Sequence, residues 1–314
     1  MNPIFCNAKP EDVVVEGEVI LFGKYPSRNL RCKTCGLLWR DPMPSDEALT
    51  EFYSHNHFRH EDDVQDQMAK QQAHFLQQHL PSSGSMRAIE YGAGNGYLLA
   101  ELAKLPGVAE AIGLEPDEVS AQSARQKHGV DMRPGFIDDV PDLPAWQGTE
   151  LIALSHVFEH LPRPVETLQK LQARHPHHYL FLEVPDGTSE AAAILSVKAL
   201  ASSLDQHLFS YTPAAFAELF SATGYEVVAQ ERIGKSDYFS NFIQRQKLAN
   251  RVQVMLDQWK AQGQVDKSAV TDLSSLSIDA ASIFGSEAAS RMFGAPKTRL
   301  DYPSLRWLIR YGVA

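Results

Sequence analysis

The chain of 314 residues reads as a doubly wound α/β protein, with a mostly parallel sheet covered by helices on both faces and an antiparallel last strand at its edge. Three observations predict this. Short apolar runs at residues 88–91, 111–115, 151–154 and 178–184 are spaced by segments with helical periodicity, the pattern of repeated strand–helix–strand units. Glycines follow the first run at once, and an amphipathic stretch, residues 97–102, begins directly after them, which makes strand, tight turn and helix contiguous. Two of the runs, 111–115 and 88–91, end at or next to an acid, so charge gathers where the strands finish.

The turn is a place for a ligand. Gly92, Gly94 and Gly96 lack Cβ atoms, can take positive φ, and let a small molecule lie on the backbone beside the unpaired N–H groups of a helix start. A dinucleotide site would need G-x-G-x-x-G and a diphosphate. Here the spacing is G-x-G-x-G, and Glu90 at the strand end would repel a diphosphate but favour a cation such as an α-amino group. Glu115 closes the next strand, about 20 residues beyond the turn, where the ribose-binding acid of α/β nucleoside sites lies. The two acids predict a nucleoside carrying an amino acid.

In these residues the chain resembles the class I S-adenosylmethionine-dependent methyltransferases. Their first motif, an acid followed by G-x-G-x-G, is matched by Glu90, Gly92, Gly94 and Gly96, and their second by Glu115. Residues 151–164, with Glu159-His160-Leu161 and Pro164, are similar to the fourth-strand motif of the small-molecule branch, and His207-Leu208 with Thr212-Pro213 is similar to the segment before that branch's late helix. The resemblance covers about residues 86–229 and implies a seven-stranded Rossmann-like methyltransferase sheet. It further implies S-adenosyl-L-methionine as cofactor and a small-molecule acceptor, a sugar or natural-product intermediate. The cofactor residues it implies are Glu90, Gly92, Gly94, Gly96, Glu115 and Pro116, with Phe136 and Ile137 over the adenine and Asp138 accepting from its amine. Asp139 is a rival to Asp138, and both could merely solvate a turn.

Taken in order, the chain begins with a small N-terminal unit, residues 1–58. Strands are expected at 13–15 and 19–21, followed by Cys32-x-x-Cys35-Gly36-Leu37, Pro42, Pro44 and Tyr53. The resembled branch carries two C-x-x-C pairs here. In this chain the first is broken, because Lys9 stands three residues past Cys6. A closed structural zinc site needs four ligands, so a degenerate knuckle held by packing is expected and no metal, the alternative fourth ligands being His55, His57 or an acid. Residues 59–245 form the cofactor-binding domain. In it, the glutamine-rich stretch 62–80 has Val64, Met68, Phe75 and Leu76 at helical spacing, a helix over the edge of the site. A second crossover helix is expected over 120–128.

Ser155 and His156 follow the buried run 151–154, and so emerge at the carboxyl end of a strand, where open α/β sheets bind ligands. Glu159 and His160 are expected to order the loop and cap the helix near Pro164. Their spacing is not the i, i+4 pair of a zinc helix, so no metal is expected there either. An alanine-rich helix, 189–202, should roof the acceptor and deliver His207. Strands are expected at 225–228 and 239–245. The remaining residues, 246–314, read as a helical extension with helices at 278–293 and 302–311, whose aromatic residues cover the acceptor pocket or meet a second subunit.

The catalytic candidates are His207, His156 and Tyr211. Histidine titrates near working pH and can take a proton from an acceptor. In the sugar C-methyltransferases that this segment resembles, H-E-H is common, whereas this chain has Asp205-Gln206-His207, which leaves one histidine where two are expected. The competing readings are a non-catalytic S-adenosylmethionine-binding module and a nicotinamide-dependent oxidoreductase, the latter opposed by the glycine spacing. A formal charge of −10 opposes a nucleic-acid partner, since that affinity comes from clustered Lys and Arg. No run of about eighteen apolar residues occurs, so no membrane span is expected. The first residues lack a signal-peptide core, which predicts a cytoplasmic protein, and three cysteines make no disulfide framework.

Overall fold

The computed structural model describes residues 5–6, 8–55, 62–82, 84–137, 143–188, 206–233 and 304–313. Near its start the chain folds into β1 (Val13–Leu21), β2 (Tyr25–Cys32) and β3 (Leu38–Asp41), an antiparallel meander. A distant two-residue strand, β9 (Phe209–Ser210), completes this sheet by pairing with β3. The β3–β9 pairing ties the N-terminal unit to the second half of the chain. The Arg40 backbone N–H donates to Leu208 O at 3.1 Å, and its buried side chain donates from Nε to His207 O at 2.9 Å.

The larger sheet holds β4 (Met86–Tyr91), β5 (Val108–Glu115), β6 (Asp131–Pro134), β7 (Glu150–Ser155), β8 (His178–Pro185), β10 (Glu226–Ile233) and β11 (Ser304–Tyr311). Their order is β10-β11-β8-β7-β4-β5-β6. The five strands from β4 to β8 pair in parallel, and β11 runs antiparallel between β8 and β10. Every residue of β4 and of β8 is buried, as expected for strands covered on both faces. Alternate side chains serve the two faces. Ile89, Ile152, Leu154, Leu180 and Leu182 join a core shared with the N-terminal sheet. Ala88, Leu151, Ala153 and Phe181 pack against Phe75 and Leu76 of the helix spanning Asp62–His79. Each such leucine contributes about 1.5–3 kcal/mol by leaving water.

Among the described residues, six α-helices accompany the sheets: α1 (Asp46–His55), α2 (Asp62–His79), α3 (Tyr97–Leu102), α4 (Glu118–His128), α5 (Pro164–Arg174) and α6 (Pro213–Thr223). Their ends follow local chemistry. The Asp117 carboxylate accepts from Ser120 N at 2.9 Å to start α4, and Gly129 at φ 67° ends it in the left-handed conformation that favours glycine. Thr212 caps α6 by accepting from Ala215 N at 3.1 Å, with Pro213 in its first turn, where proline's missing N–H costs nothing.

The structure corrects two expectations. Residues 304–311 are a strand, not a helix, and supply the antiparallel strand inside the sheet, between β8 and β10. Its first six residues are buried, so an apolar-rich run reflects burial on both faces rather than a helical stripe. The strand expected at 225–228 extends to Ile233 along a mostly exposed edge. The helices expected over 189–202 and 278–293, the helical face beyond residue 246 and the strand at 239–245 lie outside the described residues.

Candidate functional site

The strand order changes direction between β4 and β7, with β5 and β6 on one side and β8 on the other. Ligands of open α/β sheets bind in the crevice outside the strand ends at such a point. Gly92 takes φ 68°, and a Cβ there would lie 2.5 Å from Val157 Cγ2. Gly96, the residue before α3, takes φ 76°, and its Cβ would meet Ala124 Cβ at 2.8 Å. Close approach therefore demands glycine at both. Gly94, at φ 50°, is different: a Cβ there meets no protein atom within 4 Å, so its face opens away from the packed chain.

Two buried acids flank this turn. Glu115 is 8% exposed; its Oε2 accepts from Gly94 N at 2.8 Å and its Oε1 from Asp117 N at 2.9 Å. Each oxygen keeps a second acceptor site, and burial raises this carboxyl above the usual range. Glu90 is buried as well, and its Oε2 has no hydrogen-bond partner. Burial first, then the neighbouring Glu115 charge, pushes the Glu90 carboxyl well above the ordinary value, against a bond from the Leu99 backbone. A cation brought beside Glu90 would reverse that.

The carboxyl end of β7 forms the other wall. Ser155 Oγ accepts from Gln72 Nε2 of α2 at 2.8 Å, which fixes α2 over the strand end. His156 has φ 55°, a conformation costing a non-glycine residue about 1–2 kcal/mol and kept only where the surrounding structure over-determines it. Its N–H donates to Glu183 O at 2.7 Å. Its imidazole stands between two carboxylates, with Nδ1 3.6 Å from Glu159 Oε1 and Nε2 3.5 Å from Glu183 Oε1. Glu183 also accepts from Arg306 Nε of β11 at 2.6 Å. Burial opposes the charge on Glu183, yet His156 and Arg306 hold its carboxyl down at about 2.

Glu159 is a correction to the sequence reading. It does not cap α5, whose first turn has no side-chain cap. It is 1% exposed, and neither carboxylate oxygen has a hydrogen-bond partner. Around it stand His156, His160 and His207, which hold its carboxyl at about 2 against the effect of burial. His160 Nε2 is 3.8 Å from Glu159 Oε1, and its Nδ1 lies 3.0 Å from Gln206 O. Burial pushes His160 down to about 4 despite the Glu159 charge. The His207 ring centroid is 5.0 Å from that of His160. Arg40 holds the His207 carbonyl, and Leu208 N donates to Glu159 O at 2.9 Å, so the N-terminal sheet positions His207 through β9.

The other expected site residues are placed as follows. Pro116, Phe136 and Ile137 are half-buried beyond β5 and β6, while Asp138 and Asp139 lie outside the described residues. Tyr211 is fully buried among Phe5, Phe158, Phe209 and Phe216. Burial and the Glu159 charge raise its hydroxyl well above the usual value, and that hydroxyl has no hydrogen-bond partner. Cys6, Cys32 and Cys35 meet in the N-terminal sheet, with Cys6 Sγ 3.5 Å from Cys35 Sγ. No fourth His, Cys, Asp or Glu joins them among the described residues, where a closed tetrahedral site needs four ligands. The side chain of His55 and all of His57 are outside the described residues. Sequence reasoning missed Gln72, Val157, Glu183 and Arg306. Gln72 carried a signal, as a polar residue flanked by Ala69, Ala73 and Leu76 on the buried face of α2.

A family model described as a methyltransferase domain matches residues 40–230. Among solved structures, the plantazolicin methyltransferase BpumL in complex with SAH is 15% identical, with a TM-score of 0.43 over 86% of this chain and 91% of that one. The YcgJ protein of Bacillus subtilis is 14% identical, with a TM-score of 0.44 over 77% and 97%. A SAM-dependent methyltransferase of Leishmania major is 14% identical, with a TM-score of 0.44 over 84% and 82%. No curated protein matches the sequence.

Proposed function

We propose, from the premise that the chain belongs to the methyltransferase-domain family and is an S-adenosylmethionine-dependent methyltransferase, that its acceptor is a small molecule held at the carboxyl end of β7. The residues fit the cofactor. The unpartnered Glu90 Oε2 suits its α-amino group, the open face of Gly94 suits its approach to the backbone, and Glu115 has acceptor sites left for ribose hydroxyls. Ser155, His156, Pro116, Phe136, Ile137 and Asp138 are proposed to complete that site. When bound, the cofactor supplies a methyl group made electrophilic by its sulfonium.

The chain's own residues then have three tasks. The glycine turn and Glu115 orient the cofactor, α2 and the N-terminal sheet exclude water, and the histidines manage the acceptor's proton. His207 and His156 are the proposed proton acceptors, with Tyr211 behind them. Holding the reactants in line supplies much of the rate.

The observation that carries this reading is the position of the Glu159 cluster. Val157 lies against the glycine turn, and His156 just before it and Glu159 and His160 two and three residues after it have side-chain exposures of 13%, 2% and 15%. A recessed wall of that kind suits a small ligand better than a flat macromolecular surface. The net charge of −10 disfavours nucleic acid. The test is to incubate the protein with methyl-labelled S-adenosylmethionine and separate small-molecule, protein and nucleic-acid fractions of an extract. Label should enter the small-molecule fraction, and label confined to protein or nucleic acid would overturn the reading.

A further inference from the structure

We propose that Glu159, His160 and His207 form a binding site for a divalent transition-metal ion at the carboxyl end of β7. The first observation is geometric. One donor atom from each of the three lies within 4.8 Å of the others. Bonds of about 2.1 Å in a tetrahedral set place donors about 3.4 Å apart, so sub-ångström side-chain adjustments close these three around an ion.

The second observation is independent of the spacing. Glu159 is 1% exposed and both of its carboxylate oxygens lack hydrogen-bond partners. A buried carboxylate left in that state is costly unless a cation meets it. His160 points the same way. Its Nδ1 lies 3.0 Å from the Gln206 carbonyl, an oxygen that can only accept, so Nδ1–H donates and the lone pair is on Nε2. That nitrogen faces Glu159 Oε1 across 3.8 Å. Two acceptors then face each other, too far apart to bond, and a cation between them resolves the conflict. A metal-bound histidine that donates its other N–H to a backbone carbonyl is a recurrent arrangement, since the carbonyl fixes the tautomer and the ring.

A set of two imidazoles and one carboxylate suits zinc, iron, cobalt or manganese better than magnesium or calcium. Three protein ligands leave positions open, as in catalytic rather than structural sites. On the methyl-transfer reading above, those positions would take an oxygen of the acceptor, the metal would orient and polarise it, and the proton would pass to His156, because the metal-bound nitrogen of His207 has no lone pair left for it. The metal site itself does not depend on that reading. His156, 3.6 Å from Glu159 through Nδ1, offers the competing explanation, in which the carboxylate is balanced by that imidazole alone.

The test is a cobalt(II) titration of the full chelator-treated chain, followed by visible absorption, alongside calorimetry with S-adenosylmethionine. One cobalt per chain is expected, with ligand-field bands and no thiolate charge-transfer band, in the wild type and in Cys32→Ser. Glu159→Gln and the less buried His207→Gln should each weaken cobalt binding at least about tenfold while binding S-adenosylmethionine as the wild type does. If Glu159→Gln does not fold, His207→Gln decides. Absence of cobalt uptake, uptake lost in Cys32→Ser, or uptake unchanged in both cluster variants would overturn the proposal. Calorimetry separately reports on the cofactor site, so failure of the metal site and failure of the methyltransferase reading give different results.

Discussion

At the amino end of the large sheet, Arg87, Glu150, His175 and His178 are as deeply buried as Glu90, Glu159 and Tyr211 at the other end. There, each of these four side chains is paired, although the indole N–H of Trp146 beside Arg87 is not. Arg87 donates from Nε and Nη2 to Glu150 Oε1 at 2.9 and 2.6 Å and from Nη1 to Pro144 O at 2.6 Å. His175 Nδ1 is 2.7 Å from Glu150 Oε2, and its Nε2 lies 3.3 Å from the Tyr91 hydroxyl. His178 bonds the His175 carbonyl and the Tyr225 hydroxyl. At the carboxyl end, Glu90 Oε2, both Glu159 oxygens and the Tyr211 hydroxyl have no hydrogen bond, whereas Glu183 with Arg306, Asp186 with Arg232 and Glu115 with two backbone N–H groups are paired as at the amino end. Buried polar groups are normally satisfied. One end therefore reads as architecture, and the other as a surface whose remaining partner is a ligand.

Substitutions should separate the two ends. The largest effect on stability is expected from Arg87→Ala, which leaves Glu150 buried without its guanidinium and should cost about 3–5 kcal/mol in urea unfolding. The folded fraction should still bind S-adenosylmethionine normally. At the carboxyl end, His207→Ala should lower turnover about 100-fold or more with cofactor affinity and unfolding midpoint little changed. A normally active variant would assign His207 to fixing the loop.

Acid should act on the amino end through His178, which burial pushes down to about 4 from an ordinary 6.5. The unfolded chain takes up that proton first, so the contribution is whole above pH 6.5 and is lost as pH falls toward 4, on the order of 3 kcal/mol. His160, also pushed to about 4, should leave part of this slope in His178→Gln. A slope unaltered by that substitution would contradict the assignment. The smallest effect compares Gly94→Ala with Gly129→Ala, both at positive φ with nothing within 4 Å of the added Cβ. Each should cost about 1 kcal/mol of stability, but only Gly94→Ala should weaken cofactor binding.

Much of the architecture was legible because it is local. The strand–glycine–helix junction at residues 86–102 and the apolar strands β5, β7 and β8 each carry their signal within a dozen residues. The strand β11 was not legible, because Leu305, Trp307, Leu308 and Ile309 are buried on both faces and show no alternation to separate strand from helix. Its partner β8 lies more than a hundred residues earlier, beyond any local pattern. Glu90 and Glu115 could be singled out as candidates from spacing alone. Glu159 was misread as a cap because its environment depends on His207, which is brought in by a strand pairing between β3 and β9.

The central claim is that the carboxyl end of the sheet is built around S-adenosylmethionine, and calorimetric titration of the wild type and Glu115→Ala tests it most directly. The wild type should bind, and the variant should lose two charge-assisted bonds worth about 1.5–3 kcal/mol each, at least about a hundredfold in affinity. Equal affinity in the two proteins, with both folded, would contradict the account.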